Sequence, residues 1–265
     1  MSDIWEVYAL KYGDRNNRRR EESFIFDDNH DAPHAIDYFI WVLKNGSQTI
    51  LVDSGYDPIE GALRGRPVLR DPVNALEAVN LTAGNIDTLI VTHMHYDHAG
   101  CLDRFPNAVF HVQEAEMAYA TGPCMCHATL QMPFSADHVM RMVKNIYSGR
   151  VMFHEGDAEI APGVTVHLIG GHSRGLQAVR VKTARGHLML ASDAAHFYEN
   201  VFDGKPFPIV VDLQNMLDGF STLHRLASDR SMIIPGHDPL VRDYFPATGV
   251  ADFVHRLDVA PVGFA

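Results

Sequence analysis

One stretch constrains this chain more than any other: His93-Met94-His95-Tyr96-Asp97-His98, placed directly after the apolar run Leu89-Ile90-Val91 and Thr92. Three imidazoles and a carboxylate fall within six positions. On a helix, residues i and i+2 diverge, so a His-x-His pair cannot face one way. On an extended segment i and i+2 share a face. The stretch therefore reads as a strand, Asp87 to Val91, running out into a loop on which Asp97 and His98 turn back. Neutral imidazole nitrogen and carboxylate oxygen are ligands for zinc and its neighbours.

The pattern then recurs. Val166 to Gly171 ends at His172, Leu188 to Ser192 ends at Asp193, and Met232 to Gly236 ends at His237. Each is an apolar run of strand length that delivers a metal-ligand residue. Gly170-Gly171 and Pro235-Gly236 let the backbone turn before the ligand. Five histidines and two aspartates exceed what one four-coordinate ion accepts. They suit two metals sharing a bridging carboxylate and a bridging hydroxide.

The remaining elements follow from periodicity and turn signals. Ile4–Leu10 and Ile36–Leu43 read as strands, the latter turning at Asn45-Gly46 into Thr49–Val52. Residues 71–80 read as a helix with Asp71 at the N-cap and Pro72 at N1. Gln113–Ala120, Ser135–Tyr147 and Asp212–Ala227 read as further helices, with Ser135 as a cap, and 250–257 as a last short one. Short strands are expected at 108–112, 151–154, 164–169, 176–182 and 187–191. Gly13–His34 and Gly122–Phe134 read as irregular segments. No repeat or linker interrupts the 265 residues, so one domain over 1–265 is expected, with sheets covered by helices.

Composition excludes several classes of function. A net charge of −11 argues against nucleic acid, whose affinity comes from clustered Lys and Arg. The one basic run, Arg15 to Arg20, reads as a solvated loop, or as a positive lip over a site for an anionic substrate. No apolar run reaches the ~20 residues of a membrane span, and Met1 to Glu6 lacks the marks of a secretory leader. Three cysteines make no disulfide framework, so a cytoplasmic protein is expected.

With these residues in view, the sequence resembles the metallo-β-lactamase superfamily, whose signature His93-x-His95-x-Asp97-His98 matches, followed in order by His172, Asp193 and His237. Within it the chain is similar to the N-acyl-homoserine lactonase group, which includes other small-lactone hydrolases such as 4-pyridoxolactonase. The resemblance implies an α/β (α+β) fold, the αββα sandwich. It implies two divalent ions, zinc foremost, with iron, manganese and cobalt as alternatives. The first ion would take His93, His95 and His172, the second Asp97, His98 and His237, with Asp193 between them. It implies a quorum-quenching or catabolic hydrolase that opens a small lactone by attack of a metal-bridging hydroxide. The partner is the lactone alone, with the chain a monomer or a homodimer. A thioester, β-lactam or phosphodiester hydrolase and a mononuclear-iron persulfide oxygenase are the other readings of the same scaffold.

Asp97 or Asp193 is expected to shuttle the proton. Characterised lactonases of the group carry a tyrosine three residues after the bridging aspartate. Here that residue is His196, able to donate a hydrogen bond to the carbonyl or leaving oxygen, with Tyr198 as the alternative. Asp53 reads as the partner that fixes a ligand histidine, or as a turn carboxylate. The pocket is expected from Met125, Met132 and Phe134 on one segment and Arg18, Arg19, His30 and His34 on the other.

Overall fold

The computed structural model describes residues 3–27, 29–46, 48–247 and 249–264. Met1 and Ser2 of the leader reading, and Asp28 of the expected Gly13–His34 segment, lie outside them. Twelve strands are described: β1 (Glu6–Arg15), β2 (Ile36–Asn45), β3 (Gln48–Val52), β4 (Thr88–Ile90), β5 (Val109–Gln113), β6 (Val151–His154), β7 (Ala158–Ala161), β8 (Val164–Leu168), β9 (Gln177–Thr183), β10 (Gly186–Ser192), β11 (Ile233–Pro235) and β12 (Val254–Arg256). They form a seven-stranded sheet in the order β12-β1-β2-β3-β4-β5-β6 and a five-stranded sheet in the order β11-β10-β9-β8-β7. From β3 to β6 the first sheet is parallel, and β10 pairs with β11 in parallel in the second. The other pairings are antiparallel.

Side-chain alternation along the strands assigns the layers. Val7, Ala9, Trp41, Val52 and Ile90 of the first sheet pack with Val164, Val179, Leu188 and Leu190 of the second. Their neighbours Leu10, Ile40, Val42 and Leu89 face the other way, into a cluster with Leu76, Val139 and Met142. Met189, Ala191 and Ile233 of the second sheet share a cluster with Met216, Phe220 and Leu223 of the helix Leu213–Leu226. Those three helix positions repeat at i, i+4 and i+7, and each such burial contributes ~1.5–3 kcal/mol. The result is the expected αββα sandwich.

Local departures have local causes. The stretch after Asp71 forms a 3-10 helix, Asn74–Val79, ending at Asn80 with φ 58°. The N-cap is Val73 rather than the expected Asp71, whose Oδ1 instead closes the turn before the helix by accepting from the N–H groups of Val73 and Asn74. Ser135 stands at the N-cap of Ala136–Tyr147, but its hydroxyl makes no capping bond. The expected helix over 250–257 is instead the strand β12, because the edge of β1 takes it as a partner through Tyr8↔Arg256 and Leu10↔Val254. β1 itself runs on to Arg15, three residues into the stretch expected to be strand-free.

Four strands of the two sheets, β4, β8, β10 and β11, lead into loops that carry the ligand residues and bring them together. The turns there are sterically demanding. Gly171 has φ 84°, and a Cβ on it would meet the Met216 backbone at 2.6 Å. A Cβ on Gly236 would meet the carbonyl oxygen of Ser192 at 2.7 Å. Asp53 and Ser192, neither of them glycine, hold φ of 60° and 47° at this same end of the sheets. Left-handed backbone at non-glycine residues is a strained state that clusters at functional sites.

Candidate metal centre

Two groups of buried side chains meet where these strands end. His93, His95, His172 and Asp193 bring one ligand atom each within 4.8 Å of one another, and so do Asp97, His98 and His237. Asp193 joins them. Its Oδ2 lies 3.1 Å from His172 Nε2 and 3.8 Å from His93 Nε2. Its Oδ1 lies 3.1 Å from His98 Nε2 and 3.0 Å from His237 Nε2. One carboxylate thus turns one oxygen to each group, the geometry a bridging ligand requires.

Neighbours fix which nitrogen each imidazole presents. His172 Nδ1 donates to the carbonyl of Ile209 and His237 Nδ1 to that of Asp37, both at 2.8 Å. His98 Nδ1 donates to Asp53 Oδ2 at 2.7 Å. His93 Nδ1 lies 3.1 Å from the Thr92 hydroxyl, which itself donates to Asp53 Oδ2 at 2.8 Å. The Nε2 atoms of these four rings are left for the shared space. His95 turns Nδ1 there, 2.9 Å from His172 Nε2. Asp53, read in the sequence as a tautomer-fixing partner or a turn carboxylate, is thus hydrogen-bonded to one ligand-type histidine directly and to a second through Thr92.

The donor set tests as one for cations. His93 Nε2 and His98 Nε2 are buried without a hydrogen-bond partner. Burial drives His93 and His95 far below the ordinary imidazole range, so both are neutral, as metal ligation needs. At His98 burial also opposes protonation, but Asp193, Asp97 and Asp53 outweigh it and push its pKa well up. His237 is raised in the same way by Asp193 and Asp97. Burial would lift Asp193, yet His196, His237 and His98 hold it well below the usual carboxylate range. Carboxylates that favour the charged form of two buried imidazoles mark a place built for positive charge.

His196 joins this constellation. Its Nε2 lies 2.8 Å from Asp193 Oδ2, and its ring stacks on Phe207 with centroids 3.4 Å apart. Tyr198, the alternative, packs instead against Phe202, Tyr244 and Phe264 beside the core between the sheets, and its hydroxyl is buried without a partner.

A cleft of about 250 Å³ opens on the centre and is lined by His95, Asp97, His172, Asp193, His196 and His237. Arg18 and Met132 reach it as expected. Arg19 is exposed and ion-paired with Asp31, and His30 is exposed. His34 bonds Ser23 and packs on Phe197, Phe134 sits edge-on behind His95, and Met125 packs against the core. Tyr38, Arg66 and Tyr96 also line the cleft and were not singled out in the sequence. Tyr38 and Tyr96 hydroxyls lie 3.2 Å apart, and Arg66 Nη1 donates to that of Tyr96 at 2.5 Å. Only Tyr96, inside the histidine motif, carried a local signal. A second cleft, lined by Tyr119, Leu130, Met132, Ile209 and Val211 among others, also reaches His95 and His172.

Residues 37–242 match the model of the metallo-beta-lactamase superfamily. The N-acyl homoserine lactonase of Bacillus thuringiensis is 26% identical over 214 residues, 75% of this chain and 80% of that protein. N-acyl homoserine lactonase AiiB of Agrobacterium fabrum is 29% identical over 225 residues, 75% of this chain and 78% of that one. An N-acyl homoserine lactone hydrolase solved with N-hexanoyl-L-homoserine at its catalytic metal centre superposes with a TM-score of 0.73 at 22% identity, covering 89% of this chain and 94% of that one. AidC, a dizinc quorum-quenching lactonase, superposes with a TM-score of 0.70 at 16% identity over 98% and 95% of the two chains.

Proposed function

This chain belongs to the metallo-beta-lactamase superfamily, and from that premise we propose that it is a dinuclear metal-dependent hydrolase that opens the ester ring of a small lactone. The observation that carries the reading is Asp193, with one oxygen toward His93 and His172 and the other toward His98 and His237. The lactonases it resembles supply the substrate class. One catalytic unit over 1–265 is part of the proposal.

His93, His95 and His172 would hold one ion, and Asp97, His98 and His237 the other, with Asp193 shared. Imidazole and carboxylate donors suit zinc, with iron, manganese or cobalt as substitutes. A bound pair would supply a hydroxide near neutral pH and polarise the ester carbonyl. The chain's own part is to orient and to move protons. Asp97, at the cleft wall, and Asp193 would carry the proton from nucleophile to leaving oxygen. His196 lines the cleft with its Nε2–H on Asp193 Oδ2, and once the ions engage that carboxylate the same N–H would be released to the carbonyl or leaving oxygen. The second, more apolar cleft gives room for a substituent. Three unpaired cysteines suit the cytoplasm.

The test is a pH-stat screen of lactones, thioesters, β-lactams and phosphodiesters, with metal analysis of the same preparation. Opening of a lactone by protein holding about two metals per chain is the expected result. Turnover of another class with no lactone opened, or one iron with oxygen consumption, would overturn it.

A further inference from the structure

The cleft beside Asp193 carries unmatched positive charge. Arg15, Arg18 and Arg66 all line it, and outside the histidine cluster Glu22 is the one carboxylate among its described lining residues. Arg18 is only 5% exposed. Its Nη1 donates to the Ser23 hydroxyl at 3.1 Å and its Nη2 to the Glu22 carbonyl at 2.7 Å, while its Nε is buried without a hydrogen-bond partner. Glu22 Oε2 stands 3.4 Å from Arg15 Nη2 and 3.5 Å from Arg18 Nε, so one carboxylate serves two guanidinium groups. Arg66 bonds the neutral Tyr96 hydroxyl. Three guanidinium groups against one glutamate leave two unmatched, in a chain whose net charge is −11.

A guanidinium stays charged at any working pH, and burying it is costly unless an anion meets it. Its planar fork fits a carboxylate through paired hydrogen bonds. Asp97 and Asp193 face the metal-type cluster, and although the Asp97 charge favours that of Arg66, neither makes a hydrogen bond or ion pair to the three guanidinium groups. The basic run read in the sequence as a solvated loop or a positive lip is thus divided: Arg15 and Arg18 turn into the cleft, while Arg19 stays in solvent.

We propose that Arg15, Arg18 and Arg66 form an anion seat, and that the lactone opened here carries a carboxylate set apart from its scissile ester. The proposal rests on the lactone-hydrolase reading and adds the substrate's charge to it. The seat holds the free carboxylate at the arginine wall while the ester lies toward Asp193 and His196.

The experiment compares two five-membered lactones with the same ring, one bearing a carboxylate and one the corresponding primary amide, using the metal-loaded protein. Calorimetry measures the binding of their ring-opened products, a hydroxydicarboxylate and its monoamide. The acid is expected to have the higher kcat/KM by roughly tenfold or more. Its product is expected to bind more tightly by a similar factor, and both preferences should shrink in Arg15→Met, at a partly exposed position. Equal kcat/KM and equal binding for acid and amide would overturn the seat and leave the lactonase reading standing. If neither lactone opens yet the dicarboxylate binds in an Arg15-dependent way, the seat stands and the lactone reading falls.

Discussion

Asp53 Oδ2 accepts a hydrogen bond from His98 Nδ1 at 2.7 Å, while Asp53 Oδ1 takes the Thr92 backbone N–H at 2.8 Å. One buried carboxylate therefore fixes both a ligand-type imidazole and the strand end that delivers the cluster. It does so from a left-handed backbone position, φ 60°, which asparagine tolerates and alanine does not.

Asp53→Asn separates charge from backbone strain. The variant should fold, keep the ion at His93, His95 and His172, and bind the ion at Asp97, His98 and His237 roughly 10- to 100-fold more weakly. Competition against a chromophoric chelator measures both affinities. Two unchanged affinities would show that Asp53 serves the fold alone.

Glu116 ties two ligand loops together from behind. Its carboxylate accepts from Met94 N, Ser173 Oγ and Gly175 N at 2.8, 2.7 and 2.9 Å, so the His93–His95 and His172 segments share one buried anchor. Burial raises its pKa, and the three donors oppose that. Glu116→Ala strands three donors and should destabilise the metal-free protein by about 3 kcal/mol or more, with Glu116→Gln milder. Urea unfolding reads this, and a loss under 1 kcal/mol would remove Glu116 as an anchor.

Why some of this was legible in the sequence and some was not follows from what each residue needs. Metal ligation demands particular residue types at chain positions where loops converge, so His93, His172, Asp193 and His237 show themselves at the ends of apolar runs. Asp53 showed itself likewise, as the polar end of Val52. Tyr38 and Arg66 left no trace, because a residue in a long strand or a surface turn reaches the cleft only through tertiary packing. Tyr198 was misplaced as a site candidate because proximity in sequence to Asp193 says nothing of direction. Its backbone N–H bonds Asp238 at 2.9 Å and its ring turns to the core. The 250–257 segment went wrong for a similar reason, since its partner β1 lies over 240 residues away.

Arg20 clamps the cleft loop to the helix Tyr198–Asp203, contacting Glu199 at 2.6 Å and Asp27 at 2.6 Å. The Arg20 hydrogen bond draws Glu199 from 4.5 to about 2, against partial burial and with help from Lys205. A depressed carboxylate pKa adds stability that is full above the unfolded value and is lost as pH falls through the folded one. The contribution should therefore fade between about pH 4.5 and pH 2. In metal-free protein, Arg20→Met should lower the urea midpoint at pH 6 and flatten its decline below pH 4.5. Parallel curves for the two proteins would rule the clamp out.

His196 carries the last prediction. Its Nε2 sits 2.8 Å from Asp193 Oδ2 and its ring lies flat on Phe207. It therefore contacts the shared carboxylate without belonging to either three-residue ligand set. Removing it should leave the ions in place but take away an N–H donor at the cleft. His196→Ala is expected to lower kcat on a lactone by ~10²-fold while metal content stays at the parent level. His196→Tyr returns the residue type that the resemblance assigns to this position, and should retain more turnover than alanine because its hydroxyl can donate. Rates come from pH-stat assays and metal content from elemental analysis of the same samples. An unchanged rate in His196→Ala would exclude it from the reaction. A drop that tracks metal loss would instead make it a ligand to the ions, as its place within 4.8 Å of Asp193 and His237 ligand atoms allows.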